Sequence, residues 1–190
     1  MNTLMACAAA LALCIPSSLA SAIPTFGDYP LVKKITCGKG SGTAFRVGRT
    51  TLLSVDHVTR NEACKIDGVA FWVKPEPDTD FSVIELAGPK AGGFKINCEG
   101  FKAGEYYWAI GHAMGGAQRV ISLYSYGRYA WNGMAALWGY PTVIPGMSGG
   151  PIINIRGEVV GTVNMYNPFA PVSLSRELRD TSVCKGKAIA

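Results

Sequence analysis

The chain has 190 residues, of which 48% are hydrophobic and 16% charged, with a net charge of +5. Its Lys and Arg are scattered, Lys33-Lys34 being the longest run, which excludes the basic, aromatic-interleaved stripe of a nucleic-acid binder. The cysteine spacings show no zinc-knuckle pattern, so neither a metal nor a cofactor is expected.

Residues 4–15 are an apolar run too short to span a bilayer comfortably, followed by the small-residue pattern Ala20-Ser21-Ala22. This predicts a signal peptide over residues 1–22, Ile23 as the mature N-terminus, and an exported protein, secreted or periplasmic, with no stable membrane anchor after cleavage. The remainder can bury roughly 70% of its unfolded surface. It keeps Cys37, Cys64, Cys98 and Cys184, an even count that predicts two disulfides in an exported chain. Three pairings are formally open; Cys37–Cys64, which brackets His57, is preferred and leaves Cys98–Cys184.

From there the sequence reads as short strands punctuated by Gly and Pro. Strands are predicted at 42–47 and 50–55, joined at Gly48-Arg49, then at 69–73 and 81–86. The run 88–93, Gly-Pro-Lys-Ala-Gly-Gly, is the best linker in the chain. Strands follow at 106–110, 119–126 and 135–138, then a hairpin of 151–154 and 158–164 about Arg156-Gly157. Residues 173–180 read as a helix, because Ser173 can cap it and Leu174 and Leu178 share a face. The fold class is therefore all-β: two small antiparallel barrels, taken as six-stranded, plus a short C-terminal helix. The units are 23–92 and 93–190, with a cleft between them.

The chemistry-bearing string is Gly146-Met147-Ser148-Gly149-Gly150-Pro151. A Gly-x-Ser-x-Gly nucleophile elbow on an α/β sheet takes its histidine from after the serine, but His57 and His112 both precede Ser148. The order His57, Asp80, Ser148 instead suits a double-barrel serine hydrolase. Ser148 is read as the nucleophile and His57, at a strand end, as the base. Asp80, at the mouth of a strand, orients the imidazole. The backbone N–H groups of Gly146 and Ser148 are the oxyanion donors. Asp78 is the fallback acid, Asp56 adjoins His57 too closely to face it, and His112 reads as a loop or rim residue. A subtilisin-like order would need His112 as base and long helices that the chain lacks.

These blocks resemble the trypsin/chymotrypsin-like serine peptidases, especially the protease domain of the bacterial high-temperature-requirement branch. Gly40-Ser41-Gly42-Thr43-Ala44-Phe45 resembles that branch's Gly-Ser-Gly strand, and Ser54-Val55-Asp56-His57-Val58 its histidine block. Asp80-Phe81-Ser82-Val83-Ile84-Glu85-Leu86 resembles its Asp-Ile-Ala-Val-Leu-x-Leu. The stretches Ala109-Ile110-Gly111, Ser125-Tyr126-Gly127-Arg128 and 157–164 extend the likeness over roughly 36–166. By alignment to that family, Thr142 would form the base of the primary pocket, with Val143, Val163 and Tyr166 as walls. None is charged, so the pocket would take a medium apolar or small side chain. Two positions depart from the family. Met147 stands where zymogens carry an aspartate, which argues against activation by N-terminal insertion. Asn164 replaces the usual serine beside the triad. The resemblance implies a secreted endopeptidase acting on protein or peptide through an acyl-enzyme. The alternative is a catalytically silent binding module on the same fold.

Overall fold

The computed structural model describes residues 29–38, 40–60, 63–87, 92–127, 134–167 and 170–186. The expected signal peptide and residues 88–91 of the predicted linker lie outside the described residues. No helix among those described is long and apolar enough to cross a membrane.

The first sheet contains β1 (Val32–Cys37), β2 (Gly40–Arg46), β3 (Thr51–Ser54), β4 (Cys64–Ile66), β5 (Val69–Ala70), β6 (Trp72–Glu76) and β7 (Phe81–Glu85). They are ordered β5-β4-β1-β2-β3-β7-β6. The predicted six-stranded barrel is thus a seven-stranded curled sheet that stays open between β5 and β6. Its edges explain why. β5 has two residues, both exposed, and β6 carries Pro75, which cannot donate to a further strand.

The second sheet closes into a six-stranded barrel: β8 (Tyr106–His112), β9 (Gln118–Ser125), β10 (Ala135–Trp138), β11 (Pro151–Ile153), β12 (Val159–Tyr166) and β13 (Val172–Glu177), in the order β10-β13-β12-β11-β8-β9. Alternation drives it. In β9, Ile121, Leu123 and Ser125 are buried while Arg119, Ser122 and Tyr124 are not.

The helix expected over 173–180 is a strand through Glu177, followed by a 3-10 turn at Leu178–Asp180. β13 pairs with both β10 and β12, and without it the barrel would not close. This tertiary pairing overrides the local spacing of Leu174 and Leu178.

Three apolar clusters hold the fold. One fills the second barrel (Tyr107, Ile121, Leu123, Leu137, Met147) and one lines the first sheet (Ile35, Leu52, Val55, Ile66, Ile84). The third joins the two sheets: Phe45, Leu53 and Phe81 of the first meet Ile110, Ile153 and Val159 of the second. Burying each such side chain is worth roughly 1.5–3 kcal/mol, enough to fix the orientation of the two sheets and hence the cleft between them. The disulfides are Cys37–Cys64 and Cys98–Cys184, as preferred from the sequence. The second lies beside Ser182, whose backbone N–H donates to the Glu76 carboxylate of the first sheet at 3.2 Å.

Candidate active site

His57 sits in a one-turn helix, α1 (Asp56–Thr59), immediately after β3. The turn is tied down by Thr59, whose hydroxyl donates to Ser82 Oγ in β7 at 3.0 Å. Asp80 stands at the entrance of the same β7, after a 3-10 turn at Pro77–Thr79, and adopts φ 47°. Because β3 and β7 are paired, their ends bring the two residues together. His57 Nδ1 lies 2.7 Å from Asp80 Oδ2, and the His57 backbone N–H donates to Asp80 Oδ1 at 2.9 Å. One carboxylate thus holds both the ring and the backbone of the histidine. The contact fixes Nδ1 as the protonated nitrogen and leaves Nε2 as the basic one.

Asn164 completes this cluster. Between Val163 and Met165 the pairing of β12 with β13 skips a register, and Asn164 is the extra residue of that bulge. Its amide Nδ2 donates to Asp80 Oδ2 at 3.1 Å, while its Oδ1 accepts from Thr162 Oγ1 and the Arg176 N–H, each at 3.0 Å. Asn164 therefore puts a second donor on the same carboxylate oxygen that meets the imidazole. Burial pushes the Asp80 carboxyl up. The hydrogen bond and charge of His57, its backbone N–H and the Asn164 amide outweigh burial and hold Asp80 below the ordinary aspartate range. Arg60 adds a cation 3.8 Å from Asp80 Oδ1 and pairs with Asp56 at 2.8 Å. Asp80, and not Asp78 or Asp56, therefore meets the imidazole. His112 faces elsewhere, with Nδ1 2.9 Å from the Gly116 carbonyl in the rim turn.

Ser148 comes from the second barrel. Gly146 and Gly149 take φ +90° and +83°, values that side-chain-bearing residues rarely adopt. A Cβ on Gly146 would lie 2.5 Å from the His112 carbonyl oxygen, and one on Gly149 would lie 2.2 Å from Ser54 Oγ and the Thr43 carbonyl oxygen. The glycine string is thus demanded by a backbone folded tightly against β2, β3 and the end of β8. Among the described residues, the N–H groups of Gly146 and Ser148 donate to no protein acceptor, whereas those of Met147, Gly149 and Gly150 are all engaged. Met147 is fully buried in the barrel core. Ser148 Oγ donates to the Asn164 carbonyl at 3.1 Å, and no Ser148–His57 hydrogen bond exists among the described residues.

His57 and Ser148 line one cleft of about 430 Å³ together with Ser41, Gly146, Asn164 and Tyr166. Of the four predicted pocket residues, Tyr166 lines it. Val143 and Val163 are 1% exposed members of the barrel core, and Thr142 Oγ1 pairs with Ser173 Oγ at 3.3 Å. No cluster of His, Cys, Asp and Glu suited to a metal occurs among the described residues.

The trypsin-like peptidase domain family matches residues 40–161, more than half of the sequence. The chain belongs to the trypsin-like peptidase family. No curated protein matches it. Its fold is similar to that of the Rv3671c protease of M. tuberculosis, at 18% identity and a TM-score of 0.70 over 85% of this chain and 90% of that one. It is also similar to the HtrA-type protease AlgW solved with a tripeptide (17%, TM-score 0.71, 84% of this chain) and to a Yersinia pestis serine endoprotease (17%, 0.69, 83%). The peptidase spans 62% of each of those two chains. As a member of this family it is a serine endopeptidase, a hydrolase of peptide bonds in protein or peptide substrates.

Proposed function

We propose that this peptidase works in an exported compartment through Ser148, His57 and Asp80. Ser148 Oγ attacks the scissile carbonyl and passes its proton to His57 Nε2. The tetrahedral oxyanion is stabilised by the N–H groups of Gly146 and Ser148. The imidazolium then returns the proton to the leaving amine, and a water activated by the same base hydrolyses the acyl-enzyme. Asp80 stays ionised and fixes the ring. The observation that carries this reading is the pair of hydrogen bonds that the ring and the backbone N–H of His57 make to one carboxylate, that of Asp80. Two disulfides among the described residues and the leader-like residues 1–22 support export. The cleft is lined by Val58, Pro145, Met165 and Tyr166 and by no Lys, Arg, Asp or Glu among the described residues, which supports a small or medium apolar side chain at the cleaved bond.

The reading is tested by hydrolysis of casein and of a peptide library. Wild type cleaves, Ser148→Ala does not, and Asp80→Asn loses about 10⁴ in kcat. Cleavage that persists in Ser148→Ala removes it.

A further inference from the structure

Thr43 lies in β2 of the first sheet, is fully buried, and has its N–H, carbonyl and hydroxyl all hydrogen-bonded. Its backbone N–H donates to the Ser148 carbonyl at 2.8 Å, and its own carbonyl accepts from Ser54 Oγ, three residues before His57, at 2.7 Å. Its hydroxyl makes two further bonds: it lies 2.9 Å from the His112 N–H and 2.8 Å from the Gly146 carbonyl oxygen. Their direction follows from chemistry. A backbone N–H only donates, so His112 uses a lone pair of Oγ1. A carbonyl only accepts, so the hydroxyl proton goes to Gly146.

The consequence concerns the peptide planes on either side of Gly146. On the N-terminal side, the Pro145 carbonyl is held by the Met114 N–H at 2.7 Å. On the C-terminal side, the Gly146 carbonyl is held by Thr43. With both carbonyls turned outward to the protein, the intervening N–H is left for the cleft. Gly146 has no side chain to restrict its rotation, so its orientation depends on these two clamps.

We propose that the Thr43 hydroxyl is a positioning residue: it holds the Gly146–Met147 peptide plane and, with the Met114 clamp on the preceding plane, fixes the Gly146 conformation that leaves the Gly146 N–H for the oxyanion, coupling the histidine-bearing sheet to the serine loop. This deepens the assignment of Gly146 and Ser148 as oxyanion donors and rests on it. The hydroxyl touches neither substrate nor reacting atoms. It acts where charge develops, so its effect falls on kcat and not on ground-state binding.

The test compares Thr43→Val, which keeps the shape and removes the hydroxyl, with Thr43→Ser, which restores it, in the full oxidised chain. Two readings are taken on each variant. In peptide hydrolysis, Thr43→Val lowers kcat by about tenfold to a hundredfold, part of the 10²–10³ that a lost oxyanion donor costs, with KM nearly unchanged. Thr43→Ser recovers most of it. In crystals, the Gly146 carbonyl of Thr43→Val turns from its position against β2, and that of Thr43→Ser does not. Equal kcat in both variants, or a fall in KM-linked binding alone, overturns the proposal. So does an unmoved Gly146 peptide in the valine variant, a result that stands whether or not the wild type turns over. A wild type without activity counts against the catalytic reading, and the crystals then decide the role of Thr43 independently.

Discussion

Asn164→Ala separates positioning of the acid from mere packing. The substitution removes the 3.1 Å hydrogen bond from Nδ2 to the Asp80 carboxylate. A hydrogen bond to a charged group contributes about 1.5–3 kcal/mol. If all of it serves to hold the carboxylate against His57, kcat/KM falls by roughly 10- to 100-fold. The same change takes away the acceptor of the buried Arg176 N–H and of the Thr162 hydroxyl. Each orphaned group costs about 1–3 kcal/mol. The hydroxyl can rotate to a new partner but the N–H cannot, so the melting temperature falls by several degrees. Asn164 is also one of the groups holding Asp80 below the ordinary aspartate range, so its loss lets that carboxyl rise. That rise starts below the ordinary aspartate range, so Asp80 stays ionised at neutral pH and the loss of rate is expected across the profile and not as a displaced acid limb. The assay is a pH series of kcat/KM on a chromogenic peptide, beside thermal melts, for wild type, Asn164→Ala and Asn164→Ser. The serine variant retains a donor and recovers most of the rate. A lowered melting temperature with unchanged kcat/KM would refute the reasoning, because Asn164 would then be structural alone.

Gly146→Ala places a methyl 2.5 Å from the His112 carbonyl oxygen at φ +90°, so the loop must shift and kcat falls about 10²–10³-fold; kinetics showing less than about tenfold loss contradict this. The Glu158 carboxylate is bonded by Asn97, Lys95, Asn154 and Arg156, which hold it far below its ordinary value of 4.5. A depressed folded pKa stabilises the fold above the unfolded value and loses that contribution as pH falls below it. Urea midpoints should therefore drop on acidification from about 4.5 downward, and less steeply in Glu158→Gln. Cys98–Cys184 closes a separation of 86 residues, so the Cys98→Ala/Cys184→Ala variant loses about 2–5 kcal/mol in urea unfolding, while a loss under about 1 kcal/mol would show that the crosslink adds little.

What the sequence made legible was local. His57, Asp80 and Ser148 each announce themselves within a few residues: a β run ending in a histidine, an acid opening a buried strand, a glycine string that few backbones require. What was not readable depends on distant pairing. Residues 173–180 carry helical spacing, but the vacancy between β10 and β12 makes them β13. The first sheet remains open because of its edge strands, one very short and one with Pro75. Val143 and Val163 were assigned to pocket walls, yet the closed barrel turns both into its core. Asn164 was visible as a departure from the family. Its use became evident only through the β12 bulge that redirects its amide. Thr43 was seen as part of a Gly-Ser-Gly strand, and no spacing rule links its hydroxyl to a carbonyl 103 residues away.

The most direct measurement is the intact mass of the oxidised protein after incubation with a fluorophosphonate. The hydroxyl of Ser148 must become nucleophilic for this reagent to react, and in the proposed mechanism an Asp80-steadied His57 makes it so. One phosphonyl adduct, mapped to Ser148 in wild type and lost or greatly slowed in His57→Ala and Asp80→Ala, is the result expected. No adduct on the wild type, or an equal rate in His57→Ala, would contradict the account.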